Sequence, residues 1–281
     1  MRRGLIMKVA YTLWTWGLKD KDDFETAIKE IKEAGYDYFE NFDGLADMYY
    51  DSNEEFQKVI KMYGINFICL YDYISDTSED HLPRAEKLLE FLKRNGAHHM
   101  NIQAPARPFF GPTGKDLDEF LRVLNDVGKL ARQYDVWLCM HPHFETTVEQ
   151  EQEIDYVAAR MDPEYVGFCF DTAHLTIAGM DAVKMFKKYG SLIKFVHLKD
   201  TTKGMDVVEF RKTWKDPESW EKGFKIFYEL GEKDVDFPGV IDALKASGYD
   251  GYLTVELDHT RYGNKESAVM SRKYIREKLG L

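Results

Sequence analysis

The chain has 281 residues, 44% of them hydrophobic, and its 38 Lys and Arg against 49 Asp and Glu give a formal net charge of −11. That is enough apolar side chain for one large core. The charge argues against a nucleic-acid partner, which is held through basic surface, and no apolar stretch reaches the ~18 residues that a membrane-spanning helix needs.

The first apolar run, "IMKVAYTLW" (6–14), follows a basic tip but has no long apolar core of a signal peptide and no small-residue cleavage site. It reads as a first strand, with Met7 as a second candidate start and the cytoplasm as the expected location. "DDFETAIKEIKEAG" then places Phe24, Ala27, Ile28, Ile31 and Ala34 at helical spacing and stops on Gly35. "YDYFE" (36–40), "NFICLY" (66–71) and "HHMNIQ" (98–103) read as strands two to four. The amphipathic stretch "DLDEFLRVLNDVGKLARQY" separates strand four from "VWLCMH" (136–141). "VGFCF" (166–170) and "IKFVHL" (193–198) are strands six and seven. A long irregular stretch, about 200–235, carries Arg211, Trp214, Trp220, Phe224, Phe227 and Tyr228. So many aromatics in one loop predict an ordered cover over a binding mouth. "DFPGVIDALKASG" is a helix, "YLTVEL" (252–257) is strand eight, and "NKESAVMSRKYIREKLG" closes the chain as an eighth helix. Cys69, Cys139 and Cys169 each sit inside an apolar run without CxxC spacing, so they read as buried free thiols.

Regular strand–helix alternation implies a parallel sheet with right-handed crossovers. Eight such units predict an α/β fold of the (β/α)8 TIM-barrel type, one domain over residues 1–281, with an open doubly wound sheet as the alternative. In a barrel, the C-terminal ends of the strands build the active site. Those ends carry Glu40, Gln103, His141 with His143, Asp171 with His174, His197 with Lys199, and Glu256 with Asp258 and His259. A lone histidine there reads as a hydrogen-bonded core residue. His141, Asp171, His197 and Glu256 on four adjacent strands are a different case. Two carboxylates buried among imidazoles are costly without a cation. One divalent metal ion is therefore expected: Mn²⁺, Co²⁺, Zn²⁺ or Fe²⁺ suits this donor set, and Mg²⁺ is compatible with it. His174 is expected to touch substrate or support a ligand. Lys199 is expected either to pair with a carboxylate or to stabilise an oxyanion. Glu40 reads as a salt-bridged strand end or a partner for a substrate hydroxyl, and Trp14 as a barrel plug or a stacking face for a sugar. Gln103, His143 and Glu145 are candidate substrate contacts. Arg211 would take a phosphate or a surface ion pair.

The pieces "AGYDYFE", "HPHFETTVEQEQEID", "GFCFDTAHL", "KFVHLKD" and "VDFPGVIDALKASGYDGYLTVELD" resemble the xylose isomerase-like sugar phosphate isomerase/epimerase superfamily across essentially the whole chain. The resemblance implies a (β/α)8 barrel with one divalent metal in its mouth. It matches Asp171, His197 and Glu256 to three of the four family ligands, and His174 to a histidine that touches substrate. The first ligand departs, since His141 stands where epimerases carry Glu. Of the paired Glu acid/bases that the resemblance implies, only Glu256 remains, with Glu145 or Glu149 as replacements in the following loop. The His-rich "HPHFETTVE" leans towards the inosose dehydratase branch.

The implied activity is a metal-dependent isomerase or epimerase of carbohydrate metabolism, moving a proton next to the carbonyl of a sugar, keto-sugar or cyclitol. An inosose dehydratase-type lyase of inositol catabolism is the alternative. A nuclease resembling endonuclease IV would need more metal ligands and a basic surface; His81, His98 and His99 are present, but the net charge argues against it. A catalytically silent sugar-binding barrel is the third class. The expected partner is a small sugar or cyclitol. Family members often form homo-oligomers, and no partner face is legible in the sequence.

Overall fold

The computed structural model describes residues 7–206 and 226–281. Eight parallel strands close into a barrel: β1 (Lys8–Thr12), β2 (Tyr38–Phe42), β3 (Asn66–Tyr73), β4 (His99–Gln103), β5 (Trp137–His141), β6 (Val166–Asp171), β7 (Ile193–Leu198) and β10 (Tyr252–Val255). The ring runs in chain order, and β10 closes it by pairing with both β7 and β1. All eight expected strands are present. The second begins two residues later than the apolar pattern suggests, because Tyr36 is spent on the turn, where its hydroxyl donates to the Ala268 carbonyl. Helices pack around the outside. The first, Lys21–Glu33, is capped by Asp20, whose carboxylate accepts the N–H groups of Asp22 and Asp23. It ends where Gly35 adopts φ +95°, a backbone that L side chains resist.

Side chains on alternate strand positions fill the barrel in layers. Low in the barrel, Ala10, Ile68, Cys69, Cys139, Cys169 and Phe195 form an apolar floor. The next inward positions carry Glu40, Asn101, His141, Asp171 and His197, all at 0% exposure, and Glu256 just past the end of β10 is equally buried. The sheet therefore delivers polar groups to one depth over a dry base.

The stretch after β7 is ordered where it is described. β8 (Asp200–Thr201) pairs antiparallel with β9 (Phe227–Tyr228). Asp200 builds this loop: its carboxylate accepts N–H groups from Thr201, Gly231, Lys233 and Val235 at 2.8–3.1 Å. Arg211, Trp214, Trp220 and Phe224 lie outside the described residues. No helix among the described residues is long and apolar enough to cross a membrane.

Candidate active site

One donor atom from each of His141, Asp171, His197 and Glu256 lies within 4.8 Å of all the others. The strands explain the convergence: Asp171 is in register with His197, and His141 with Gln103. Each residue is also held from behind. Nδ1 of His141 lies 3.1 Å from the Cys169 carbonyl. Asp171 caps the short helix Thr172–Ile177, so its Oδ1 accepts from the amides of Ala173 and His174 at 2.6 and 2.9 Å. Nε2 of His197 meets Glu40 Oε2 at 2.9 Å, and Asn101 Nδ2 donates to the other Glu40 oxygen at 2.7 Å.

The opposite atoms of these groups are orphaned. His141 Nε2, Asp171 Oδ2, His197 Nδ1 and both Glu256 oxygens are buried without a hydrogen bond. Their nearest companions are charges: Glu256 Oε2 lies 2.5 Å from His197 Nδ1, and Lys199 Nζ is in ion-pair contact with Glu256. Buried polar atoms are normally paired. Two imidazole nitrogens and two carboxylates turned towards one point are what a divalent cation of the borderline class requires, and two negative charges would neutralise it. Each imidazole is fixed through its other nitrogen, the arrangement common among metal-binding histidines. The residues fit a metal. Cys169 offers a sulfur atom close to His141 and His197, but burial pushes its thiol up to about 12, so it stays protonated at neutral pH and is a poor ligand.

Burial also sets the protonation of the neighbours. It holds His141 and His174 well below the ordinary histidine range and His143 at about 4, so these rings are neutral. It raises Asp171 to about 7, against the pull of Lys199. Lys199 is itself buried, but Asp258 and Glu256 outweigh that burial and keep its ammonium charged. Its Nζ lies 3.0 Å from Asp258 Oδ2 and 3.3 Å from His174 Nε2. The same lysine, with His197, overrides the burial of Glu256 and holds it ionised.

Beside this cluster opens a cavity of about 650 Å³, well inside the ~300–1,000 Å³ range of small-molecule sites. Its wall includes Trp14, Gln103, His143, Glu145, His174 and Asp258, with Phe42, Tyr73, Phe144 and Phe227 as apolar faces. Trp14 stacks on Phe42 at 4.4 Å between centroids, and His143 lies against His174 at 3.7 Å. Gln103 accepts the Tyr71 hydroxyl at 2.7 Å.

Residues 28–278 match the xylose isomerase-like TIM barrel family. The chain belongs to this family. It is 35% identical over 179 residues to an inosose dehydratase of Clostridium tetani, in an alignment spanning 62% of this chain. The chain spans little more than half the length of that relative, 58%. An inosose dehydratase of Geobacillus thermodenitrificans is 27% identical over 277 residues, covering 92% of this chain and 90% of that protein. Among solved structures, the IOLI protein with a bound zinc atom superposes with a TM-score of 0.75 at 18% identity, over 96% of this chain and 97% of that one. At that identity the likeness shows the shared fold.

Within the family frame, most of the expected site residues gather in one place. Glu40 takes the first of its two expected readings: it is fully buried, pairs with His197 and faces that ring rather than the cavity. Glu149 is spent on its own loop, where it accepts the Glu145 amide at 3.0 Å and the Gln150 side chain at 2.8 Å. His81 and His98 stand apart: His81 Nε2 meets the Asp76 carbonyl at 2.7 Å, and His98 Nδ1 the Asp135 carbonyl at 2.9 Å. Sequence reasoning missed Asn101, Phe42 and Phe144, whereas Phe227 lines the cavity from the aromatic loop expected to cover the mouth. Asn101 was findable, since alternation along β4 puts residues 99, 101 and 103 on one face.

Proposed function

We propose that this chain is a metal-dependent lyase that removes water from a keto-cyclitol, an inosose dehydratase-type reaction. The observation that carries the reading is the set of orphaned donors on His141, Asp171, His197 and Glu256 beside a small-molecule cavity. Two points favour dehydration over epimerisation. Relatives at 35% and 27% identity are inosose dehydratases. His141 also replaces one of the two glutamates on which the epimerase comparison depends.

Bound there, a divalent ion (Mn²⁺, Co²⁺, Zn²⁺ or Mg²⁺) supplies a Lewis acid that polarises a carbonyl and acidifies the adjacent C–H. His174 is the base. It is neutral, it borders the cavity, and its contact from the Phe144 amide to Nδ1 is long at 3.4 Å. Its Nε2 takes the proton from the carbon next to the carbonyl and returns it to the hydroxyl leaving the neighbouring carbon. A C=C bond forms and water departs. Lys199, pinned by Glu256 and Asp258, keeps a positive charge 3.3 Å from Nε2. That charge stabilises negative charge growing on the substrate oxygen. Trp14 supplies a flat apolar wall, while Gln103, His143 and Glu145 offer hydrogen bonds to ring hydroxyls. Glu145 and Asp258 place two carboxylates in the described part of the wall.

Incubation with Mn²⁺ and a panel of inososes and ketoses in D₂O, followed by NMR, tests the proposal. Loss of water from an inosose is the expected outcome. Deuterium incorporation with every hydroxyl retained would replace the lyase by an isomerase or epimerase. A protein with no stoichiometric metal and no exchange into any substrate would be a binding barrel.

A further inference from the structure

Outside the metal cluster, a half-buried arginine serves no part of the chemistry above. Arg107, in the loop after β4, forks onto Glu153 with its two terminal nitrogens at 2.8 and 2.7 Å. Glu153 is 4% exposed and lies in the first turn of the helix Glu151–Ala158, where its Oε2 also accepts the amides of Glu149 and Gln150 at 2.8 Å. Arg107 further donates Nη1 to the Thr146 carbonyl at 3.3 Å and its backbone N–H to the Glu145 carbonyl at 2.8 Å, and its Nε stands 3.9 Å from Glu149. Ala106 bridges Thr146, and the Thr147 amide donates to the Pro105 carbonyl at 2.8 Å. Two loops from adjacent strands are thereby locked together around one guanidinium.

The lock surrounds a strained residue. Glu145 sits at φ +64°, one of two non-glycine residues at positive φ among those described, and it lines the cavity. Such a backbone costs on the order of 1–3 kcal/mol and persists only where its surroundings over-determine it. Here both of its backbone groups are claimed: its amide by Glu149 and its carbonyl by Arg107. The first contact leads to the guanidinium, whose Nε stands 3.9 Å from Glu149, while the second is made by the Arg107 backbone and depends on the side chain only through the loop that the Glu153 fork holds in place.

We infer that Arg107 is a positioning residue that holds Glu145 in its left-handed conformation, and so keeps the Glu145 carboxylate aimed at the hydroxyls of the bound polyol. The inference rests on the cyclitol reading of the cavity. A bidentate fork is needed, because a lysine is a point charge that cannot grip both Glu153 oxygens in fixed geometry.

A double-mutant cycle with R107A and E145Q tests the coupling. R107A is expected to lower kcat/KM about 100-fold, the scale of a small misplacement of a positioning group, with metal content unchanged. R107K should not rescue it, and R107A should cost nothing more in the E145Q background. Additive losses, full rescue by lysine, or an E145Q enzyme as active as the wild type would each overturn the inference. Amide hydrogen exchange provides an arm that does not depend on turnover. In R107A, residues 143–149 should exchange at least about tenfold faster while β4 and β5 do not change; unchanged exchange at 143–149 refutes the clamp. If the wild type dehydrates no inosose, the functional reading fails while exchange still judges the clamp.

Discussion

Two layers of the same barrel, two residues apart along the same strands, have opposite chemistry. Cys139, Cys169 and Phe195 form the floor; His141, Asp171 and His197 stand directly above them. The floor needs nothing, because its side chains are apolar or are thiols content to stay protonated. The upper layer is left with buried donor atoms that lack a hydrogen bond and face one another and the Lys199 ammonium. A pleated strand places alternate residues on one face at successive depths, so this contrast requires no change of fold. What it teaches is that the site is polar by residue choice on a rigid frame, and that the dry base beneath strengthens every charge interaction above it.

The sharpest way to break the contrast is to remove a donor from the upper layer. Asp171→Asn keeps the shape and the helix cap but deletes a charge that would face the metal. It should abolish stoichiometric metal binding, measured by elemental analysis, and lower kcat by about 10³-fold or more. Full metal content in that variant would mean that the cluster is not the centre. Glu40→Gln acts one step further out. It leaves His197 in place but weakens the carboxylate behind it, and metal affinity should fall about 10–100-fold. Titration with Co²⁺, followed by its visible absorption, measures this.

The floor should show the reverse preference. Cys139→Ser puts a hydroxyl into the apolar layer and should cost about 1–3 kcal/mol in urea unfolding, whereas Cys139→Ala should cost less because it introduces no polar group. If serine were the better tolerated, the floor would be wetter than its composition indicates.

How much of this was legible in the chain follows from range. The strands were readable because parallel strands covered on both faces are continuous apolar runs. The four donors were readable because each sits at the end of its own run. The partner of Glu40 was not, because His197 is 157 residues away and the pairing crosses the barrel. The Arg107 clamp was hidden for the same reason: "QAPARPFFGPT" carries no sign that its arginine will reach a glutamate 46 residues later. The helix opened by Asp171 was local, and "FDTAH" holds its cap in plain view.

The smallest expected effect tests how far solvent reaches the lower end of the barrel. His99 lies two positions before Asn101 on β4, packed on Phe195 and Tyr252 at 5.3 and 5.5 Å, with Nδ1 buried and unpaired. Burial lowers it to about 3, with His98 and Lys8 pushing the same way. A histidine depressed in the fold keeps its ordinary value near 6.5 in the unfolded chain, so the unfolded state takes up the proton first as pH falls. Its contribution to stability is therefore intact above about pH 6.5 and is lost progressively towards pH 3. Between pH 7 and pH 5 the loss is at most about 2 kcal/mol. Other groups also titrate in this window, and burial raises Asp72 to about 6, which acts in the opposite sense. The comparison must therefore be a difference. Urea unfolding of His99→Leu at pH 7 and pH 5 should lose less stability on acidification than the wild type does. His99 is only partly buried, so equal losses would mean that solvent at its exposed edge stabilises the charged ring.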